Sequence, residues 1–255
     1  MLRHRVIPCL LLSEGGLVKT LKFADPKYVG DPINAIRIFN EKEVDELLVL
    51  DIVASKTGRE PDYDLIEQFA GECFMPLAYG GGIRDVEQVK RLFALGVEKV
   101  AVQTSALESL DLVAAISSRY GRQSVVVSLD IKKTLFGQPR LFSSATGKTL
   151  DRDWLAFLRE AVAAGAGEIL VNAVDRDGTL GGMDLPLIAT AAAACPIPLI
   201  ASGGVGSLAD IKAAVDAGAS AVAAGAFFVY HGPHRAVLIT YPEDRELTAL
   251  LEPTT

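Results

Sequence analysis

The most constraining feature of this chain of 255 residues is an internal repeat with one constant offset. Moving the sequence by 122 residues places Gly81 and Gly82 on Gly203 and Gly204. One offset that serves strands, loops and helices alike indicates two copies of one ancestral half, and we place their junction near 120–123. The other pairs related by this offset are Glu46 and Glu168, Pro76 and Pro198, Lys90 and Lys212, Gly96 and Gly218, and Val100 and Val222.

Short apolar runs alternate with amphipathic stretches such as 85–95, 153–164 and 208–217. Apolar strands separated by helices are typical of a parallel sheet covered on both faces, and eight units in about 250 residues fit a (β/α)8 barrel. We therefore predict one α/β domain, a single (β/α)8 TIM barrel over 1–255 made of two fused half-barrels, about 1–121 and 122–255. The predicted strands are 5–12, 46–52, 75–79, 98–103, 124–130, 168–174, 197–201 and 219–224.

The composition narrows the range of partners. Asp and Glu number 32 against 25 Lys and Arg, which gives a net charge of −7 and argues against nucleic-acid or membrane-surface binding. The three cysteines form no CxxC pair, so we predict no metal site, and no nucleotide motif predicts a cofactor. The apolar start lacks a small-residue cleavage site. We therefore read it as a strand of a cytoplasmic protein rather than a signal peptide.

Glycine loops follow the third predicted strand of each half. Gly81 and Gly82 in the first half, and Gly203 and Gly204 in the second, lead directly into predicted helices. Glycine lets backbone N–H groups approach an anion, and a helix N-terminus adds partial positive charge. We predict two phosphate sites that face each other across the barrel mouth, for a ligand with a phosphate at each end; the alternative is that the loops are only tight turns. The residues predicted to complete these sites are Thr104, Gly178 and Gly225.

Several longer segments resemble the cyclase subunit of imidazole glycerol phosphate synthase, the HisF family. The resemblance implies a barrel that binds a glutaminase, a HisH-like subunit, under its N-terminal face and passes ammonia to chemistry at the C-terminal face. It also implies catalytic roles for Lys19 and Asp130, and places Asp51, Gln103 and Asp177 at the mouth. The segments that carry it are 30–32, 46–52, 80–83, 165–170, 202–204 and, most specifically, Arg152-Asp153-Trp154 and Asp175-Arg176-Asp177-Gly178-Thr179.

The sequence departs from this family at Leu11. The family uses two carboxylates as acid and base, at the ends of the first and fifth strands; here only the second, Asp130, is present. Proton transfer by a positioned group typically contributes about 10²–10⁴-fold, and leucine transfers no proton. We therefore predict that the classical cyclisation is lost, with Glu14 as the alternative acid. Gln103 and Ala226 also replace a shorter amide and a hydroxyl of the family.

Four charged residues stand at the starts of predicted strands: Arg5, Glu46, Lys99 and Glu168. Because the N-terminal ends of barrel strands crowd around the axis, two cations and two anions there predict a neutral ring of ion pairs. A purely structural plug is one interpretation. By resemblance, all four match the ring through which ammonia enters in the HisF family.

The ring is complete, whereas the acid–base pair at the other end of the barrel is not. This combination favours an ammonia-channelling barrel of a glutamine amidotransferase system. By resemblance to family members linked to surface polysaccharides, it would relay ammonia to a third, ATP-dependent amidotransferase that makes acetamidino sugars for lipopolysaccharide O-antigen. The alternatives are a functional cyclase of histidine biosynthesis and a non-catalytic scaffold that activates a glutaminase. A single-chain sugar isomerase of the same ancestry fits less well, because it needs paired aspartates and lacks the ring.

Overall fold

The computed structural model describes residues 4–251, so the ends of the predicted domain, 1–3 and 252–255, lie outside the described residues. Eight parallel strands pair side by side and close on themselves in the order β1, β4, β5, β6, β7, β10, β11, β12. The strands are β1 Arg5–Ser13, β2 Gly16–Leu21, β3 Ala24–Gly30, β4 Leu47–Asp51, β5 Leu77–Gly80, β6 Lys99–Val102, β7 Val125–Lys133, β8 Pro139–Ser143, β9 Lys148–Thr149, β10 Glu168–Ala173, β11 Leu199–Ser202, β12 Ala221–Ala224, β13 Tyr230–His231 and β14 Ala236–Val237.

Helices follow the barrel strands and cover their outer face. Five of the longer helices begin at an aspartate whose side chain accepts a backbone N–H, the arrangement that satisfies the free donors of a first turn. The helices are α1 Pro32–Glu41, α2 Ala54–Thr57, α3 Tyr63–Ala70, α4 Val86–Ala94, α5 Thr104–Glu108, α6 Asp111–Tyr120, α7 Trp154–Ala164, α8 Leu185–Ala194, α9 Leu208–Asp216, α10 Ala226–Val229 and α11 Asp244–Leu251.

All eight predicted barrel strands are confirmed, and the apolar start of the chain is strand β1. Four barrel strands precede the predicted junction near Tyr120 and four follow it. The pairs β6–β7 and β12–β1 join these two sets of strands. The (β/α)8 TIM barrel is therefore the observed fold. Within residues 4–251, no helix is both long enough and apolar enough to cross a membrane.

The sequence patterns do not predict three hairpins at the C-terminal rim. Strand β1 continues into the antiparallel pair β2–β3, β7 continues into β8 and β9, and a small pair, β13–β14, follows α10. Each hairpin extends the chain beyond the carboxyl end of a barrel strand. The rim of the mouth is therefore built from these hairpins together with the βα loops.

The apolar core has two parts. A large shell lies between strands and helices, and a separate inner layer fills the barrel itself. Side chains alternate along a strand, so every second residue of a barrel strand points to the axis. This inner layer is one residue deep around most of the barrel, and its members are Ile7, Leu48, Ala78, Ala101, Val126, Leu170, Ile200, Ala221 and Ala223.

Candidate functional site

A cavity of about 420 Å³ opens at the carboxyl ends of the barrel strands, above the inner layer. The sequence placed twelve residues at this mouth, and eleven line the cavity. Gly82 does not line it; its N–H donates to Ser55 Oγ at 3.2 Å, and Ser55 is part of the cavity wall. The eleven are Lys19, Asp51, Gly81, Gln103, Thr104, Asp130, Asp177, Gly178, Gly203, Gly204 and Gly225.

Asp130 is a buried carboxylate on β7. Gln103 Nε2 donates to Asp130 Oδ2, and the Gln103 amide is oriented by its own oxygen, which accepts from Ser144 Oγ at 2.6 Å. Burial raises the pKa of Asp130 to about 7; the negative charge of Asp177 adds to this rise, and the hydrogen bonds from Gln103 and Asn172 oppose it. At neutral pH this carboxyl group is therefore able both to donate and to accept a proton.

Lys19 comes from β2, which folds inward over the mouth. Its side chain is only 4% exposed, and its ammonium donates to the Cys9 carbonyl oxygen at 2.6 Å. Burial lowers the pKa of Lys19, while the charges of Cys9 and Asp177 oppose that change. Burial likewise raises the pKa of Asp177, although Thr20 Oγ1 donates to this carboxylate at 2.9 Å. The β2–β3 hairpin thus brings a cation to a mouth whose lining holds the carboxylates of Asp51, Asp130 and Asp177.

The strand-one wall of the cavity is apolar. Leu11 lines it beside Leu50, with which it pairs across β1 and β4. Glu14, the alternative acid, lies in the exposed turn between β1 and β2, with a left-handed φ of 51°, and is not part of the cavity wall. Asp130 therefore has no carboxylate opposite it on strand one.

The glycine loops lie where backbone segments nearly touch. A methyl group on Gly81, whose φ is +117°, would sit 2.4 Å from the Asp51 carbonyl oxygen. One on Gly204, whose φ is +102°, would sit 2.3 Å from the Gly182 carbonyl oxygen. These close contacts are sufficient to require glycine at both positions. This is what the alternative interpretation, that the loops are only tight turns, would need. Asp51 itself caps the short helix α2, accepting the N–H groups of Val53 and Ala54 at 2.9 and 2.8 Å.

The four predicted ring residues meet at the opposite end of the barrel. Arg5 contacts Glu46, and its second nitrogen lies 2.8 Å from Glu168 Oε2. Lys99 Nζ lies 2.9 Å from Glu46 Oε2 and 2.8 Å from Glu168 Oε1. Burial alone would raise the pKa of Glu168, but Arg5 and Lys99 outweigh it and hold that pKa below its usual value. Each charge therefore has two opposite neighbours, and the ring closes the barrel axis.

Asn172 is a mouth residue that the sequence patterns did not identify. It lies on β10 directly beside Asp130 of β7 and beside Ser202 of β11. Its Oδ1 is buried and, among the described contacts, has no hydrogen-bond partner. The signal was available only once strand register was known, because Asn172 projects inward two residues after Leu170 of the inner layer.

The protein is a closed (β/α)8 barrel whose ionisable side chains gather in a cavity at the C-terminal face, the face at which barrels of this class place their functional sites. A sequence model of the family described as "Histidine biosynthesis protein" matches residues 5–234. The chain belongs to that family, among the HisF subunits.

Curated relatives cover almost the whole chain. "Putative imidazole glycerol phosphate synthase subunit hisF2" of Pseudomonas aeruginosa is 52% identical over 97% of this chain and 99% of its own length. "Putative imidazole glycerol phosphate synthase subunit hisF3" of Vibrio vulnificus is 48% identical over 99% of this chain and 98% of its own. "Imidazole glycerol phosphate synthase subunit HisF" of Exiguobacterium sibiricum is 40% identical over 96% of each chain.

Proposed function

We propose that this barrel relays ammonia from a glutaminase at its N-terminal face to a recipient enzyme at its mouth, and that it has lost the cyclase reaction. The observation that carries the proposal is the contrast between its two ends. The four-residue ring is complete, whereas Leu11 stands where the acid–base pair needs a second carboxylate. A barrel that only transfers ammonia needs the ring at its entrance but does not need the acid–base pair of the cyclase.

The inner layer suits the passage of a neutral molecule. Between ring and mouth it consists of nine apolar residues, of which four are alanines that leave more room than larger side chains: Ala78, Ala101, Ala221 and Ala223. Ammonia crosses apolar surroundings at far lower cost than ammonium, because a charge loses its hydration there. In this structure the ring's ion pairs close the entrance, so transfer requires the ring to open.

The names of the relatives support a branch distinct from the ordinary cyclase. The relatives named hisF2 and hisF3 are 52% and 48% identical, whereas those named plainly as subunit HisF without qualification are 40% and 42% identical. A second or third HisF beside an ordinary one is free to diverge at the mouth. Leu11, Gln103 and Ala226 are the positions where this chain departs from the cyclase pattern.

Two faces of the barrel offer sites for partners. Phe74, which is 83% exposed, precedes β5 on the ring side, where the resemblance places a HisH-like glutaminase. Leu135 and Phe136 are almost fully exposed at the tip of the β7–β8 hairpin on the mouth side. Exposed apolar side chains of this size mark interaction surfaces. We assign the mouth side to the recipient, an ATP-dependent amidotransferase that converts an acetamido sugar to an acetamidino sugar.

The proposal is tested by supplying purified protein with the cyclase substrate and ammonium salts. The parent should give little imidazole product, and Leu11→Asp should restore part of the activity because it returns a carboxylate to the cavity wall opposite Asp130. Leu11→Asn, which has nearly the shape of aspartate but does not transfer a proton at neutral pH, is the matched control at the same position. A parent rate comparable with that of an ordinary HisF would overturn the loss of cyclisation.

The ordinary cyclase remains the second candidate, because one observation favours it. Asp130 is retained with a pKa of about 7, which is suited to proton transfer at neutral pH, and Lys19 lies in the same cavity. Cyclase activity in the parent that disappears in Asp130→Asn would establish this candidate. A scaffold that only activates the glutaminase differs from both, because coupling in it would not depend on the ring.

A further inference from the structure

The polar side chains that the barrel strands contribute to the cavity floor lie on one side, and Lys19 of β2 reaches the other. Gln103, Ser128, Asp130, Asn172 and Ser202 project from the adjoining strands β6, β7, β10 and β11 or their ends. The opposite side carries Cys9, Leu11, Leu50 and Ala223. A small molecule that rises along the axis from the inner layer therefore meets Ser128, level with Leu170, and then Asp130 and Asn172 one step higher.

The hydrogen bonds at this point leave one acceptor unused. Because the Gln103 oxygen is taken by Ser144, the Gln103 nitrogen faces Asp130 as a donor. Asn172 lies directly across from Asp130 in the pairing of β10 with β7. Asn172 Oδ1 is buried without a described partner. A buried acceptor without a donor indicates a missing ligand that carries N–H or O–H groups.

The charges at the mouth are also incomplete. Asp130 is a buried carboxylate and Asp177 a half-buried one, and within residues 4–251 Lys19 is a buried cation whose charge acts on Asp177. The Lys19 ammonium donates to the Cys9 carbonyl rather than to Asp130. With all three groups ionised, the cavity floor carries one negative charge in excess. Either a proton on Asp130 or one bound monovalent cation would neutralise it.

We infer that the Asp130 carboxylate and Asn172 Oδ1 form an ammonium-binding site at the top of the barrel axis. The choice of ammonium over another monovalent cation rests on the proposed function. When neutral ammonia arrives, the Asp130 O–H bond breaks and a fourth N–H bond forms, which leaves a carboxylate and an ammonium ion. The reverse transfer returns the proton to Asp130 and releases neutral ammonia toward the recipient.

Thallium(I), a monovalent cation similar in size to ammonium, is the probe. Crystals of the full chain, grown without ammonium at pH 8, are soaked in thallium(I) acetate and examined by anomalous diffraction. We expect a peak in contact with Asp130 and Asn172 Oδ1 that ammonium acetate reduces and an equal concentration of sodium acetate does not. A peak that ammonium does not reduce would show an adventitious ion only. That result, or no peak at all, would overturn the site.

Two variants locate the ligand groups. Asn172→Leu and Asp130→Asn should each raise the soak concentration for half occupancy at least tenfold, whereas Asn34→Ala on the exposed face of α1 should leave it unchanged. Asn172→Ala replaces Asn172→Leu if the larger side chain prevents folding. Unchanged occupancy in both mouth variants would contradict the assignment.

The thallium experiment uses neither the glutaminase nor the recipient, so its failure is distinguishable from failure of the relay. No thallium peak, with ammonia transfer still sensitive to the ring, overturns the ammonium site and keeps the conduit. A peak with the expected variant effects, together with transfer insensitive to the ring, keeps the cation site and overturns the conduit.

Discussion

The two ends of the barrel both bury charged groups, but their carboxylates respond in opposite ways. In the ring, Glu168 has Arg5 and Lys99 as direct partners, and its pKa lies below the usual value despite burial. At the mouth, Asp130 has only amide donors and a second carboxylate nearby, and its pKa is raised to about 7. Direct pairing thus decides whether burial leaves a carboxylate permanently charged or able to titrate near neutral pH.

This difference separates the functions that each end can support. In the balanced ring each charge lies beside two opposite charges, so the ring carries no net charge to attract a further ion. An unbalanced mouth gains or loses a proton within the physiological range. A fixed charged closure at one end and a titratable acceptor at the other are suited to moving a neutral base along the axis.

The largest effect is expected where pairing is broken in the ring. Glu46→Ala leaves Arg5 and Lys99 to share one carboxylate, and removing one partner of a buried ion pair typically costs about 3–5 kcal/mol. Urea unfolding at neutral pH measures the loss. Asp216→Ala, which removes an exposed pair with Lys212, is the control and should cost no more than about 1 kcal/mol. A loss in Glu46→Ala as small as the control would show that the ring is not dry.

A smaller effect with a distinctive pH dependence is expected at the mouth. The pKa of Asp130 is about 7 in the folded protein against an ordinary value of 3.8, so the folded state binds the proton more tightly. Protonation stabilises the fold below pH 3.8, and this contribution is lost as the pH rises toward 7. Relative to Asp130→Asn, the parent should lose roughly 2–3 kcal/mol of unfolding free energy between pH 5 and pH 8.

The comparison of parent and Asp130→Asn requires unfolding curves at several pH values in one buffer series. Glu168→Gln provides the contrast from the ring. The lowered pKa of Glu168 means that its contribution is present above the ordinary value of 4.5 and is lost only as the pH falls below that. If the difference in unfolding free energy between the parent and Asp130→Asn does not vary from pH 5 to pH 8, Asp130 does not titrate in that range and this prediction is wrong.

The smallest effect is expected from anions at the glycine loops. Crystals soaked in sulfate should show density at the α4 and α9 N-termini, beside Gly81 and Gly204, where backbone donors and the helix dipole converge. Both sites occupied would favour a ligand with two phosphates, and one would favour a monophosphorylated or nucleotide-linked ligand. Neither site occupied at high sulfate would mean that the close backbone contacts alone explain the glycines.

The barrel was predictable because its signals are local. Apolar runs indicate the eight strands, and the constant offset of the repeat pairs the two glycine loops. The β2–β3 hairpin was not predictable, since five of the seven residues of β3 are exposed and its turn holds Lys22, Phe23 and Asp25 in left-handed conformations. The position of this hairpin determines where Lys19 lies. Before the structure, only the family resemblance indicated that Lys19 belongs to the mouth.

The candidate site shows the same limit. The ring was found from the starts of the strands, because the direction of a barrel strand determines which face its ends occupy, whereas Asp130 was indicated by the family resemblance. Asn172 required the register of β10 against β7, which no periodicity encodes. The orphaned Oδ1 and the excess negative charge depend on side-chain contacts between four strands and a hairpin. These could be described only from the folded molecule.

Lys99→Met tests ammonia transfer most directly, because it removes one ring cation while nearly keeping the side-chain volume. The variant is assembled with the glutaminase and the recipient enzyme, with folding and complex formation checked, and Lys90→Met on the exposed face of α4 is the control. The relay predicts that glutamine hydrolysis continues while amination of the acceptor per glutamine falls, with ammonia released to solvent and external ammonium partly restoring product. An unchanged ratio in a folded, fully assembled complex would contradict the ammonia-gate assignment of Arg5, Glu46, Lys99 and Glu168.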